Sequence, residues 1–178
     1  METKKLKECC TIIRGRADNN AHDNTTDNGI PFVRPVDFEN LFPSPTKYTS
    51  QPIQIANKND ILMIIDGNNA GSVNFAQSKL AIGTGVIAIR PSSLLHPFYV
   101  FCFLKSIESK LSSMATGTAL KQLRIDSIED VDIALPTIAE QSQVAEHLMQ
   151  SALKIESLKL EITKEEDKLN TIIKDTFK

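Results

Sequence analysis

The sequence contains no tryptophan and no apolar run long enough to cross a membrane. Its opening residues, Met1 to Glu8, are charged with no apolar core segment behind them. Neither a spanning helix nor a secretory signal is expected, and the cytoplasm is the expected location. Cysteine is scarce: Cys9 and Cys10 are adjacent, and Cys102 stands alone inside an apolar helical pattern. That is neither a disulfide framework nor a metal-ligand spacing, and the three read as buried thiols. His22, His96 and His147 are scattered without a Cys/His cluster, so no metal site is expected. An excess of basic charge is missing too. Net charge is −2, with 14 Lys/Arg against 14 Asp/Glu up to residue 138 and 6 against 8 after it. A nucleic-acid binder of this composition would have to focus its basic groups on one face.

Signatures of chemistry are also lacking. There is no GxxxxGK[ST] phosphate loop, and Asp66-Gly67-Asn68 is an ordinary tight turn. Neither a methyl-donor pocket nor an Asn/Asp-Pro-Pro-aromatic segment is visible, and the prolines occur singly. No acidic pair followed by lysine suggests a nuclease, and no nucleophile has a plausible histidine base. The expectation is no catalytic residue and no cofactor.

What is present is organised around the C-terminal end. After Pro136 there is no proline or glycine, and apolar residues recur at steps of four and three: Val144, Leu148, Ile155, Leu158, Ile162, Leu169 and Ile172. This is a heptad seam, with polar Ser151 and Glu165 in the same register. A helix of about forty residues at ~1.5 Å rise runs roughly 60 Å, longer than one small domain covers. No second heptad stretch exists upstream, so the partner helix is expected from another molecule.

Ahead of the helix the chain reads as one domain. Leu6 to Arg14 is a short helix or turn entering a strand, followed by a polar loop, Gly15 to Gly29, which either approaches DNA or only connects. Ile30 to Phe38 reads as a strand broken by Pro35, with Arg34 on the face of Phe32 and Phe38. Its guanidinium either reaches outward or holds a carboxylate such as Asp37, the structural role being preferred. Lys47 and Tyr48 sit in a proline-rich excursion. Asp60 to Ile65 and Val86 to Ile89 read as buried strands, Phe98 to Lys110 as a core helix, and Val131 to Leu135 as a closing strand. Lys121 and Arg124 follow a small-residue turn, free for phosphates or paired with Asp126, Glu129 or Asp130.

Six landmarks in order resemble one family. They are Ile30-Pro31-Phe32-Val33-Arg34-Pro35-Val36-Asp37; Asn59-Asp60-Ile61-Leu62-Met63; Ile82 to Pro91; Pro97-Phe98-Tyr99 with a helix ending Phe103 to Ser106; Gly117 to Leu123; and Leu135-Pro136-Thr137-Ile138-Ala139-Glu140-Gln141. Together they look like the target recognition domain and following helix of type I restriction-modification specificity subunits. The resemblance covers essentially the whole chain. It implies an α+β fold: a mixed α/β recognition domain over residues 1–138, then one long C-terminal coiled-coil helix over 139–178. It also implies that the domain reads one half of a bipartite site in double-stranded DNA, and that the helix is a spacer docking DNA methyltransferase subunits, with a restriction subunit as a further partner.

Family members usually carry two recognition domains and two antiparallel helices, whereas this sequence has one of each. A homodimer through the seam, reading a palindromic site, is the resulting expectation. Two readings stand beside it: a domain detached from a fused methyltransferase or restriction enzyme, and a docking module that reads no DNA. The expected DNA contacts, chosen by residue chemistry and loop position, are Arg34, Lys47, Tyr48, Asn68, Asn69, Lys79, Lys121 and Arg124.

Overall fold

A computed structural model describes residues 2–23, 29–39, 41–118 and 120–177. Within these the elements run, in order, β1 (Glu2–Lys5), α1 (Leu6–Cys9), β2 (Cys10–Arg14), β3 (Ile30–Val33), a 3-10 turn (Pro35–Asp37), β4 (Lys47–Thr49), β5 (Ile55–Ala56), β6 (Ile61–Ile64), β7 (Val73–Phe75), β8 (Leu80–Ile82), β9 (Val86–Pro91), α2 (Pro97–Ser106), α3 (Glu108–Ser113), α4 (Ile125–Glu129), β10 (Asp132–Leu135) and α5 (Ile138–Thr176). The middle of the polar loop, residues 24–28, lies outside the described residues.

Two four-stranded sheets carry the domain, one ordered β2-β9-β6-β7 and antiparallel throughout, the other β4-β3-β8-β5 with β3 and β8 parallel. The apolar run at β6 is buried on both faces, and its alternation explains how. Ile61 and Met63 point with Ile87 and Ile89 toward α2, whereas Leu62 points with Val86 and Ala88 toward Val33, Leu80 and Ile82 of the second sheet. One sheet thus lies between a helix and another sheet, so every position of the strand demands an apolar residue. On the helix side Phe75, Phe98 and Phe101 meet at ring-centroid distances of 5.2 to 5.6 Å. Where β6 begins, buried Asp60 accepts both Arg90 guanidinium contacts, at 3.0 and 2.7 Å, and the Asn57 amide at 2.8 Å. Asp60 is thereby satisfied instead of being left as a buried bare charge.

Local expectations change, and β1 is a strand that residue order does not announce. The strand at Ile30 to Phe38 stops at Val33, because Pro35 sets the φ that starts the 3-10 turn and has no amide for a ladder. The helix expected over Phe98 to Lys110 is two: α2 ends at Ser106, Ile107 leaves helical geometry at φ −110° and ψ 14°, and α3 resumes at Glu108. The N-terminal residues are a strand, since β1 pairs antiparallel with β10, Glu2 opposite Leu135 and Lys5 opposite Asp132. Only Cys9 of the three thiols is fully buried, and Cys10 and Cys102 are partly exposed. Burial still pushes the Cys10 thiol up to about 12 and that of Cys102 to about 11.

Helix α5 spans 39 residues, about 58 Å. It starts with a capping box: the Glu140 amide donates to Thr137 Oγ1, while the Thr137 amide donates to Glu140 Oε2 at 2.8 Å. The Thr137 hydroxyl, which donates to Glu140 Oε2 at 2.7 Å, and then the Thr137 amide hold the Glu140 carboxyl below its ordinary range. One turn on, Gln141 and Ala145 are buried against the domain, and Met149 and Ala152 continue that contact along α2. From Ser157 to Phe177 every residue is exposed. The helix is therefore anchored at one end and projects at the other.

Candidate nucleic-acid interface

The strand directions gather several polar segments at one end of the two sheets. β2 ends at Arg14 beside Ile87, β6 runs into Asp66, and β3 and β8 end side by side at Val33 and Ile82. The turn Gly83-Thr84-Gly85 lies among them. A side chain at Gly15 would meet the Gly83 carbonyl oxygen at 2.1 Å, so that glycine is what allows the chain after Arg14 to press on the turn. The Gly15 and Arg16 amides donate to Val86 O at 2.8 Å and Ile82 O at 3.0 Å, holding Arg14 and Arg16 at this end. Gly85 sits at φ +83°, and a Cβ added there would lie 3.1 Å from Pro35 Cγ.

The segment Thr116 to Arg124 closes the cluster. The Gly67 amide donates to Lys121 O at 2.8 Å, the Leu123 amide to Ile65 O at 2.8 Å, and Gln122 Nε2 to Asp66 Oδ1 at 2.9 Å. Gly117, at φ +119°, makes the tight return, where any Cβ would strike the Leu120 carbonyl oxygen at 2.2 Å. Arg14, Gln122, Arg124 and Asp126 then line a cleft of about 360 Å³. Arg124 Nη2 lies 3.2 Å from Asp126 Oδ2, with both groups exposed, a contact worth little in water and free to exchange for a phosphate. Asn68 and Asn69, in the turn after β6, border a second hollow with Ser109 and Ser112 of α3.

The other expected contacts are placed differently. Arg34 is turned inward: its amide and Nε donate to Asp37 Oδ2 at 2.7 and 3.1 Å, and Nη2 reaches Asp37 Oδ1 at 2.9 Å and Thr46 Oγ1 at 3.1 Å. The Asp37 hydrogen bond raises the guanidinium pKa further. Of the two roles open for Arg34, this geometry is the structural one: it clamps the 3-10 turn and the approach to β4. Lys47, on β4, stands 3.9 Å from Asp23. Tyr48 lines a cleft of about 300 Å³ with Pro31, Pro45, Gln77 and Ser78. Lys79 precedes β8 and so lies at the far end of that strand from Arg34 and Asp66, away from the cluster. Arg14 and Gln122 are not among the expected DNA contacts, whereas Arg16 falls in the polar loop read as either approaching DNA or only connecting. The sequence signal for Arg14 is Arg14-Gly15-Arg16, two cations around a glycine at the end of an apolar strand, and Gln122 has no such signal.

Comparison with known proteins follows from this architecture. The model of the type I restriction modification DNA specificity domain matches residues 1–166. This chain belongs to that family. The type I restriction enzyme MjaVIII specificity subunit of Methanocaldococcus jannaschii is 34% identical over 102 residues, which cover 57% of this chain and 24% of that protein. The HsdS subunit of Thermoanaerobacter tengcongensis superposes with a TM-score of 0.71 at 30% identity, covering 89% of this chain and 38% of that one. A chain from a structural study of complex assembly and conformational transition in the type I R-M system gives a TM-score of 0.75 at 29% identity, covering 96% and 43%. The α+β fold with its long C-terminal helix is thus the family's fold. This chain spans less than half the length of each of these three chains. Among the described residues no helix is long and apolar enough to cross a membrane.

Proposed function

We propose that this chain is a non-catalytic DNA specificity subunit that works in the cytoplasm as a homodimer. Each recognition domain reads one half of a bipartite, palindromic site, and the paired α5 helices set the distance between the halves. Methyltransferase subunits dock on the helices and carry the chemistry, and a restriction subunit completes the assembly.

One observation carries this reading. All seven seam residues, Val144, Leu148, Ile155, Leu158, Ile162, Leu169 and Ile172, are exposed at 39 to 62% of their surface. A regular apolar stripe left in water from Val144 to Ile172, about 42 Å of helix, calls for a second helix. A second copy of α5 presents the same apolar stripe and so offers a matching surface. Within the domain, Arg14, Lys121 and Arg124 are assigned to phosphates, and Asn68, Asn69 and Gln122 to base edges, where amides pair well with adenine. Lys47, Tyr48 and Lys79 form an outlying group of contacts, and Arg34 positions the turn beside the cluster.

The test is a pair of measurements on the full chain. Light scattering is expected to give twice the chain mass, falling to one when the seam is charged. Binding to random DNA in the presence of methyltransferase subunits is expected to select a palindromic bipartite site, with affinity falling steeply with salt. A monomeric chain, or an assembled complex without sequence-dependent binding, refutes the proposal.

A further inference from the structure

Where β6 gives way to its turn, two short bridges meet on one side chain. Asp66 and Gln122 are antiparallel partners, framed by bonds from the Gly67 amide to Lys121 O and from the Leu123 amide to Ile65 O, both 2.8 Å. In a pair framed this way the two side chains stand close together on one face. On its other edge Gln122 pairs with Thr116, the two residues exchanging amide bonds of 2.8 and 3.0 Å. Alternation sets the direction of the side chain. Leu123 is 1% exposed and packs in the helix-side core, so Gln122 faces out, beside Arg14 and Arg124 of the cleft. Backbone on both sides thus fixes where this amide stands.

Asp66 fixes which way the amide turns. Gln122 Nε2 donates to Asp66 Oδ1 at 2.9 Å. An ionised carboxylate only accepts, whereas a side-chain amide can turn over and exchange its donor for its acceptor. Turned over, Gln122 would set Oε1 against the carboxylate, two acceptors with no hydrogen between them. The contact therefore holds Nε2 toward Asp66, and Oε1 and the second Nε2 hydrogen have no partner among the described residues. A donor beside an acceptor matches one base. In the major groove adenine offers N7 as acceptor next to its N6 amino group as donor, whereas guanine offers two acceptors, cytosine one donor and thymine one acceptor. Backbone bonds already tie the two segments, so the exposed side-chain contact adds little to the fold. A carboxylate among DNA-facing cations also weakens binding to every sequence, a cost that orienting the amide offsets.

We propose that Asp66 is a positioning residue for base recognition, holding the Gln122 amide in the one orientation that reads adenine. The inference rests on the DNA-reading function proposed above and goes further. It names the base, and it names the group that makes the reading selective.

The test uses the full chain assembled with methyltransferase subunits, on the bipartite site it selects from random DNA. Each A·T pair of that site is changed in turn to G·C, and the ratio of the two affinities is measured. At one adenine of each half-site the wild-type chain is expected to lose about 5- to 150-fold, and 7-deazaadenine, which lacks the N7 acceptor, is expected to reproduce part of that loss. Gln122→Ala should abolish the discrimination there. Asp66→Asn keeps the shape but can donate, so the amide can turn over and meet guanine O6; the same ratio should fall at least about threefold while those at other positions hold. Ratios cancel the gain that losing a negative charge gives on every sequence. In the Gln122→Ala background, Asp66→Asn should change no ratio. A loss spread over all positions, or none at the adenine that depends on Gln122, overturns the positioning role and leaves Gln122 as the reader. If discrimination at no adenine depends on Gln122, the inference falls while the specificity function stands. Wild-type complex without sequence-dependent binding overturns both.

Discussion

Replacing Gln141 tests what fixes the helix to the domain. This residue is only 1% exposed, and its amide is fully used. Oε1 accepts from the His96 amide at 2.8 Å, and Nε2 donates to Leu94 O at 3.1 Å and Pro136 O at 2.9 Å. It ties three segments together: the turn before α2, the end of β10 and the first turn of α5. Gln141→Ala leaves three backbone groups without their partner. Each orphaned buried group costs about 1–3 kcal/mol, and water entering the space left by the side chain recovers part of it. The net loss is expected at about 2–4 kcal/mol by urea denaturation. At about 2–4 °C per kcal/mol for a chain of this size, the melting temperature falls by roughly 5–15 °C. Gln141→Glu keeps the acceptor but loses the donor and buries a charge, so it is expected to be at least as damaging at neutral pH and to recover partly on acidification. A loss under about 1 kcal/mol for Gln141→Ala would show that packing by Ala145 and Met149 holds the helix without this network.

Three further outcomes are expected. Leu158→Asp combined with Ile162→Asp changes two exposed residues, so the melting of the domain measured at high dilution moves little while the solution mass halves; an unchanged mass removes the seam as the interface. Arg14→Ala, Lys121→Ala and Arg124→Ala are each expected to weaken DNA binding across sequences and to lower the salt slope by about 1, whereas Arg34→Ala costs stability by removing the guanidinium from buried Asp37, which keeps the backbone amide of residue 34, about 1–3 kcal/mol in denaturation. The third outcome concerns pH. Hydrogen bonds from Thr137 hold the Glu140 carboxyl below its ordinary value of 4.5. Its support for the start of α5 is therefore complete above that value and lost as pH falls through the lowered one. Glu140→Gln should flatten that pH dependence in amide exchange at Thr137 to Gln141, and a profile identical to wild type would exclude the carboxylate as its source.

The long helix and its seam were legible because a heptad repeat is a property of residue order alone: no proline or glycine follows Pro136, and the period of apolar residues names the structure. The buried strands at Ile61 and Val86 were legible for the same reason, as was α2 as a core helix. Thr137 and Glu140 announce a helix start by their spacing. Family membership, too, could be read from landmarks in sequence.

The candidate interface could not be read this way, because it is assembled from residues far apart in the chain. Arg14, Asp66 and Gln122 become neighbours only when β2, β9 and β6 align and Gly15 presses on Gly83. Register between strands is a pairing fact with no one-dimensional signature, so residue order alone does not say that Lys79 and Lys121 lie apart in the fold. The two roles open for Arg34 were decided only by the 3-10 turn, which swings Asp37 back beneath its guanidinium. The helix repeat likewise says that a stripe is apolar, not which side of the helix the domain occupies. That side follows from Gln141 and Ala145 seating on α2, a choice made by side-chain volume and hydrogen-bond satisfaction in three dimensions.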